Sequence, residues 1–251
     1  MYCFFVTILL GCLVLSVSSC TKKERVLSDL ELYNQAMEYM GREKYHEAGE
    51  SLDRLEQEYP ESVLMSEARL SRADIHFRLK EFDEARGEYE RFLNLHPVHP
   101  QADLARFRIA MTYFEQIMSI DRDQRFTIKA LEAFERFLKE YPQSPFIPEA
   151  KDKVSFCRLK LAEQDLYIAR FYFRTGSYRA SRGRLQKIWN LYPEVPWRDE
   201  VLYLLSETYR REGMIDEARQ TLCHLYRVFP NSPFIEKIRV SCQEIGSEYS
   251  P

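Results

Sequence analysis

The sequence predicts an all-α protein, a solenoid of five helix–turn–helix units with a C-terminal capping helix. Three observations predict this fold. The prolines fall in short clusters, each cluster follows a long apolar-periodic stretch without proline, and the same residue pattern precedes each cluster. Proline interrupts a helix, and the residue before it is pushed out of the α region. Regularly spaced proline stops between helical stretches therefore indicate a repeat array.

Each helical stretch ends at a leading proline, and a common pattern precedes it. The leading prolines are Pro60, Pro97, Pro142, Pro193 and Pro230. A large apolar or aromatic residue stands 15 positions before the proline, except at Thr127, and large apolar residues stand eight and five before it. The small residues 12 before it are Ala48, Ala85, Ala130, Ser181 and Ala218. This pattern looks like the tetratricopeptide repeat, whose units bury their apolar stripes by stacking on each other. Five units cover residues 29–231.

The intervals between the leading prolines are 37, 45, 51 and 37 residues, so two units are longer than the others. In the third unit the extra residues lie between the two helices, around Gln116–Phe126. In the fourth unit they precede Ala162 and contain no Gly, so they lengthen the first helix by roughly 20 Å. We expect N-terminal repeats at 29–142 and C-terminal repeats at 143–231. The capping helix and tail follow at 232–251.

The amino terminus resembles that of a bacterial lipoprotein. Residues 1–20 carry no charged side chain, and their apolar run is too short to span a bilayer. The run ends in Val-Ser-Ser-Cys, which resembles a lipobox, so we predict a signal peptide at 1–19, acylation of Cys20 and a short linker to residue 28. Three acyl chains would hold the protein on the membrane. Thr21 follows the cysteine, which favours the outer membrane, periplasmic face. A plain signal anchor is the alternative.

The composition argues against nucleic-acid binding and against an enzyme. The 36 basic and 39 acidic side chains nearly balance, and no basic stripe is present. The eight glycines form no phosphate-binding loop, and no catalytic motif occurs. His96 and His99 lie in a proline turn, which is unsuited to a helical metal pair. Asp121 and Asp123 fall in the polar insertion, where capping and solvation explain them. We therefore predict no cofactor, no metal and no catalysis.

Three cysteines lie beyond the predicted acylation site. Cys157, Cys223 and Cys242 are an odd number, and all three fall on predicted helices. Small buried thiols are the favoured interpretation, because free cysteine packs as a small apolar residue. A disulfide between Cys223 and Cys242 is the alternative, since sequence alone does not establish such a pairing.

The first helices of the N-terminal units suggest a peptide groove. In this repeat family, positions 2, 5, 9 and 12 of each first helix line the inner surface. The candidates for peptide contact are Tyr33, Met37, Met40, Leu70, Phe77, Phe107, Met111 and Phe114. Aromatic and methionine side chains suit extended apolar peptides, because methionine adapts its shape. The alternative is that several of these residues pack between helices.

Three long segments extend the resemblance beyond the generic repeat. They are ELYNQAMEYMGREKYHEAGESLDRLEQEYPES, RFLNLHPVHPQADLARFRIAMTYFEQI with the DRDQ insertion, and RLKLAEQDLYIARFYFRTGSYRASRGRLQKIWNLYPEVP. With both irregular intervals, the chain resembles the BamD family, the tetratricopeptide lipoproteins of the outer-membrane β-barrel assembly machinery.

The resemblance implies a non-enzymatic periplasmic scaffold. Its N-terminal repeats would receive unfolded outer-membrane protein precursors. Its C-terminal repeats would dock on the barrel-forming partner BamA, alongside accessory lipoproteins. Arg198, in the segment WRDEVLYLL, is the candidate for an ion pair with that partner. The alternative is another lipid-anchored repeat adaptor, such as a pilotin for secretin assembly or an adaptor of a cell-wall complex.

Overall fold

The computed structural model describes residues 26–235, which form ten α-helices and no β-strand. The helices are α1 Asp29–Gly41, α2 Tyr45–Glu58, α3 Met65–Arg78, α4 Phe82–Leu95, α5 Ala102–Phe114, α6 Arg125–Glu140, α7 Ile147–Arg174, α8 Tyr178–Leu191, α9 Arg198–Arg211 and α10 Ile215–Val228. The predicted signal peptide, Cys20, Cys242 and nearly all of the predicted capping segment lie outside the described residues.

The helices pack as five consecutive pairs, and each helix also contacts the next one along the chain. This confirms the all-α solenoid of five units. Four of the pairs are joined by three-residue turns. The middle residue of each turn is left-handed, with φ of 58° at Glu43, 63° at Lys80, 79° at Gly176 and 78° at Gly213. Glycine adopts this conformation without the Cβ clash that other residues experience.

In the third unit, α5 and α6 are joined by the predicted insertion, a ten-residue loop from Glu115 to Gln124. The side chain of Gln124 is buried and donates to the carbonyls of Ser119 at 2.7 Å and Arg122 at 3.1 Å. The Thr127 hydroxyl donates to Gln124 Oε1 at 2.7 Å. Thr127 departs from the apolar repeat pattern because its hydroxyl binds the buried side-chain amide of Gln124, which organises the loop.

The loop ends at α6 with a carboxylate that caps the helix. Asp123 Oδ1 accepts a hydrogen bond from the backbone N–H of Arg125 at 2.9 Å. Such a bond satisfies one of the free N–H groups at a helix N-terminus. Asp123 thus supplies one hydrogen bond to the start of α6, although the N-cap residue, Gln124, makes no side-chain cap of its own.

Helix α7 has 28 residues, whereas the other helices have 13 to 16, so the predicted extension in the fourth unit is confirmed. Its first half packs on α6 through Ala150 and Cys157. Its second half packs on α8 through Ala162, Leu166 and Ala169. One continuous helix therefore contributes to the cores of the third and fourth units.

In three units a serine hydroxyl ties the proline turn to the first helix of the same unit. The pairs are Ser62 with Asp29 at 2.6 Å, Ser144 with Asp103 at 2.6 Å, and Ser232 with Asp199 at 2.8 Å. Each carboxylate lies in the first turn of its helix, where the helix dipole favours negative charge. The hydrogen bond from Ser62 lowers the pKa of Asp29 below its ordinary value.

The fourth unit replaces this serine–aspartate pair with buried Val195 and Ala162, which share one apolar cluster. Residue 162 lies in the middle of α7 rather than at a helix start. Its N–H is already bonded within the helix, and no dipole end is present to stabilise a carboxylate. The extension of α7 thus accounts for the change of residue type at both positions.

Candidate peptide groove and docking surface

The structure leaves five of the eight groove candidates half-buried. They are Tyr33, Met37, Met40, Phe77 and Phe114. All lie on the first helices of the three N-terminal units, and all pack at the margin of a core cluster. Side chains in this state have apolar surface left to contact a ligand. These five side chains are the groove residues.

Contacts between successive first helices make this face continuous. The Ser71 hydroxyl of α3 lies 3.9 Å from the sulfur of Met37 on α1. The Arg108 guanidinium of α5 lies 5.4 Å from the ring centroid of Phe77 on α3. The first helices α1, α3 and α5 are therefore connected side by side along this face.

The other three groove candidates are buried. Leu70 is 4% exposed, Phe107 is 3% exposed and Met111 is 8% exposed. Leu70 packs in the core of the second unit, and the other two pack in the core of the third. The expectation that these three residues contact a peptide is therefore wrong, because the second helix of each unit and the first helix of the next unit pack over them. Helical periodicity identifies a face, but the packing of the neighbouring helix decides how much of that face stays open.

The second unit adds a paired charge to this face. The hydroxyl of the fully buried Tyr89 donates to Asp74 Oδ1, and the Arg108 guanidinium lies 3.6 Å from the same oxygen. Burial, followed by the charge of Asp74, raises the pKa of Tyr89 above its ordinary value. The phenol therefore stays a neutral donor, and the acid carries no unbalanced charge into the groove.

The corresponding face of the C-terminal units carries several ion pairs. Arg170 of α7 pairs with Glu200 of α9, and Arg210 pairs with Glu207 at 2.6 Å. Arg170, Glu207 and Arg210 stand at positions 9 and 12, where five of the six residues in the N-terminal units are methionine or phenylalanine. The inner face therefore carries more charged side chains in the C-terminal units than in the N-terminal ones, a difference that was not predicted from the sequence.

The candidate docking residue Arg198 begins α9 and is held in place by neighbours. Its guanidinium carbon lies 3.8 Å from the ring centroid of Trp189, and Nη1 donates to the carbonyl of Pro193 at 2.9 Å. Trp189 in turn contacts His224 edge-on at 5.4 Å. Within residues 26–235 Arg198 forms no close ion pair, although its charge contributes to lowering the pKa of Glu194. A stacked guanidinium keeps its planar donors oriented, and only the fold reveals the role of Trp189.

The extension of α7 is anchored to the turn that follows α8. Arg158 donates through Nε to Glu194 and through Nη2 to the carbonyl of Leu191 at 2.6 Å. Its guanidinium also lies 5.6 Å from the ring centroid of Tyr192. One arginine on the extra turns therefore fixes the loop that leads into α9 and Arg198.

The ion pair between Arg158 and Glu194 is expected to weaken in acid. The hydrogen bond from Arg158 lowers the pKa of Glu194 below its ordinary value of 4.5. A carboxyl group with a depressed folded pKa stabilises the fold above its unfolded pKa, and this contribution disappears as the pH falls through the folded pKa. Urea denaturation at pH 7 and at about pH 3 should therefore find that Glu194→Gln destabilises the protein more at pH 7 than at about pH 3. An equal difference at both pH values would contradict the assignment.

Cys157 is fully buried and is a free thiol, as predicted. Burial raises its pKa to about 12, so the reactive thiolate is disfavoured in the fold. Cys223 is disulfide-bonded, so the favoured expectation of a thiol is wrong there. Residue type and helical placement do not distinguish these two cases.

Two further properties hold for residues 26–235. No cluster of three or more His, Cys, Asp or Glu side chains is arranged to hold a metal ion. Among the ten helices of this range, none is both long and apolar enough to cross a bilayer.

Comparison with known proteins places the chain among bacterial lipoproteins. The sequence model of the YfiO family, described as outer membrane lipoprotein, matches residues 27–225. The outer membrane protein assembly factor BamD of Caulobacter vibrioides is 29% identical over 199 residues, a match that covers 79% of this chain and 65% of that protein. The same factor of Neisseria meningitidis serogroup A is 27% identical over 240 residues, covering 88% of this chain and 90% of that protein.

Two further matches were found. The BamD of Rickettsia prowazekii is 26% identical over 201 residues, covering 80% of each protein. Among solved structures, the TPR2AB domain of yeast Sti1 superposes with a TM-score of 0.48 and 12% identity, over 88% of this chain and 85% of that one. The family match covers more than half of the chain and includes nine complete helices and part of α10. The chain belongs to the YfiO family of outer membrane lipoproteins.

Proposed function

We propose that the chain is a non-enzymatic, lipid-anchored scaffold in the assembly of outer membrane proteins. The observation that carries this proposal is the family match over residues 27–225, together with relatives named as outer membrane protein assembly factors. The protein would be acylated at Cys20 and would face the periplasm from the outer membrane. We expect the variant Cys20→Ala to lose palmitate labelling, and this measurement tests whether the lipid anchor is attached at Cys20.

In this proposal, the groove residues receive unfolded outer membrane protein precursors. Their half-buried aromatic and methionine side chains present adaptable apolar surface along the first helices. An extended precursor segment exposes apolar side chains that such a surface can cover. The charged inner face of the C-terminal units is less suited to these segments, so precursor binding would be confined to the N-terminal half.

Photocrosslinking tests the groove in intact cells. A photoreactive residue at Met40 or Phe77 is expected to crosslink to unfolded outer membrane precursors, because both side chains retain accessible apolar surface. The same residue at Gln220, which is exposed on α10, is the matched control. Equal crosslinking at all three positions would contradict a groove.

The C-terminal units would dock on BamA through Arg198. The guanidinium is held against Trp189 and forms no close ion pair in the described part of the chain, so a partner's carboxylate can pair with it. Arg198→Glu is expected to reduce recovery of the barrel-forming partner from detergent-solubilised membranes. Loss of one member of a desolvated interfacial charge pair typically costs about 2–5 kcal/mol.

The control for this experiment is Arg211→Glu, which makes the same charge change at an exposed position on α9. Thermal melts of both variants check that partner recovery is not reduced merely because loss of the stack on Trp189 unfolds the protein. Unchanged recovery of the partner with Arg198→Glu at elevated salt would remove Arg198 from the interface. Recovery of a secretin instead of a 16-stranded barrel protein would favour the pilotin alternative.

A further inference from the structure

A cavity of about 410 Å³ lies between the insertion loop and the first half of α7. Its apolar lining is Phe114, Ile117, Met118 and Phe156. Met118 is 55% exposed and Phe156 is 45% exposed, so both side chains keep open apolar surface. The rings of Phe114 and Phe156 contact each other at 5.2 Å between centroids. Both irregular segments of the solenoid therefore meet in one aromatic cavity.

Two lysines flank this cavity on α7. Lys153 Nζ lies 4.2 Å from the ring centroid of Phe114, and Lys160 lines the cavity wall. Neither ammonium pairs with a carboxylate within the described residues. The two lysines are seven residues apart, or about 10 Å along the helix axis. Phe156 lies between them, three and four residues away, and therefore on the same face.

We propose that this cavity is a docking site for an extended segment of a partner polypeptide, with an aromatic or large aliphatic side chain between two acidic residues. The apolar side chain would enter between Phe114, Met118 and Phe156. The two carboxylates would pair with Lys153 and Lys160. An extended chain rises about 3.3 Å per residue, and its side chains alternate between two faces. Acidic residues four positions apart, with the apolar residue midway, therefore point to one side and span about 13 Å, which long lysine and glutamate side chains can bridge to the roughly 10 Å separation of the lysines.

The charge pattern selects this occupant. The cavity lining includes one acidic residue, Glu115, while Lys153 and Lys160 present two unpaired positive charges. A single terminal carboxylate would neutralise only one of these lysines. A wholly apolar segment would neutralise neither, so an acid-flanked segment is the better match.

The inference does not rest on the proposed function, because the cavity can bind such a segment whichever assembly the scaffold serves. The probe is the peptide Ser-Glu-Gly-Phe-Gly-Glu-Ser, acetylated and amidated at its ends and labelled for fluorescence anisotropy. Binding is measured to the full mature chain. We expect Lys153→Gln and Lys160→Gln each to weaken binding severalfold and the double variant to weaken it roughly tenfold. Phe156→Ala is expected to weaken it as well.

The matched control is Lys151→Gln, which removes one positive charge from an exposed position on another face of α7. It should leave binding unchanged, and thermal melts verify that every variant is folded. Replacing both peptide glutamates by glutamine should abolish the effect of the lysine variants. Binding that is unaffected by Lys153→Gln and Lys160→Gln would overturn the proposal. So would tighter binding of an unblocked peptide that ends in phenylalanine and lacks acidic side chains. If precursors did not crosslink at Met40 but this peptide still bound, that result would contradict the proposed function and leave the cavity proposal intact.

Discussion

Replacing Arg184 and Lys187 together by methionine is expected to lower the free energy of unfolding by about 3–5 kcal/mol. Asp165 on α7 is 2% exposed, and these two residues of α8 are its cationic partners. Arg184 Nη1 lies 2.6 Å and Lys187 Nζ lies 2.7 Å from its carboxylate oxygens. Methionine retains much of the apolar stem but leaves the carboxylate buried and unpaired. Urea denaturation followed by circular dichroism measures the loss.

Two controls separate charge pairing from packing. Adding Asp165→Leu to the double variant should restore most of the lost stability, because an apolar residue no longer needs a cation. Arg42→Met breaks an ion pair with Glu38 in which both side chains are about 60% exposed, so it should change stability by less than about 1 kcal/mol. A double variant that loses no more than Arg42→Met would disprove the role assigned to the two cations.

Phe107→Ala is expected to lower the free energy of unfolding by about 3–5 kcal/mol, as is typical for truncation of a buried phenylalanine. The ring centroid of Phe107 lies 5.7 Å from that of Phe134 and 5.6 Å from that of Phe137, and both of these rings are fully buried. It also stacks on Phe146 at 5.0 Å. Removing the ring opens a cavity among three aromatic neighbours, which a thermal or urea melt would detect.

Phe156→Ala is the matched control, since the same truncation at a half-exposed position should cost less than about 1 kcal/mol. The comparison also separates core from groove. If Phe107→Ala kept its stability but lost precursor crosslinking at Met40 and Phe77, then Phe107 would line the groove and its assignment to the core would be wrong.

The architecture could be predicted from the sequence because each unit repeats the same constraint. Proline stops and the small and large apolar positions before them predicted five helix pairs, and the structure has those pairs. The two long intervals also predicted the insertion and the extended helix. Thr127 departed from the pattern, and its reason was not readable from the sequence. The amide of Gln124 that binds it is placed by the loop, not by helical periodicity.

The site was less predictable, because exposure depends on neighbours that are distant along the chain. Positions 2, 5, 9 and 12 identified one helix face. Position 5 is half-buried in the first unit at Tyr33 but buried at Leu70 and Phe107, whose units have a neighbour on each side. The stack of Arg198 on Trp189 joins α8 to α9, and no motif encodes it. The lysine-flanked cavity was likewise not predictable, because it forms only where the insertion loop packs against α7.

Helix α7 has a consequence for the cooperativity of the whole array. In repeat proteins, stability passes between neighbours through the contacts at each interface, so partial unfolding can stop at a weak one. At the middle of this solenoid, one unbroken run of backbone hydrogen bonds serves the cores on both sides. Opening either core therefore strains the helix that holds the other. The junction between the N-terminal and C-terminal halves is therefore a firm connection and not a weak interface. Backbone amides on both sides of this junction should exchange with solvent together.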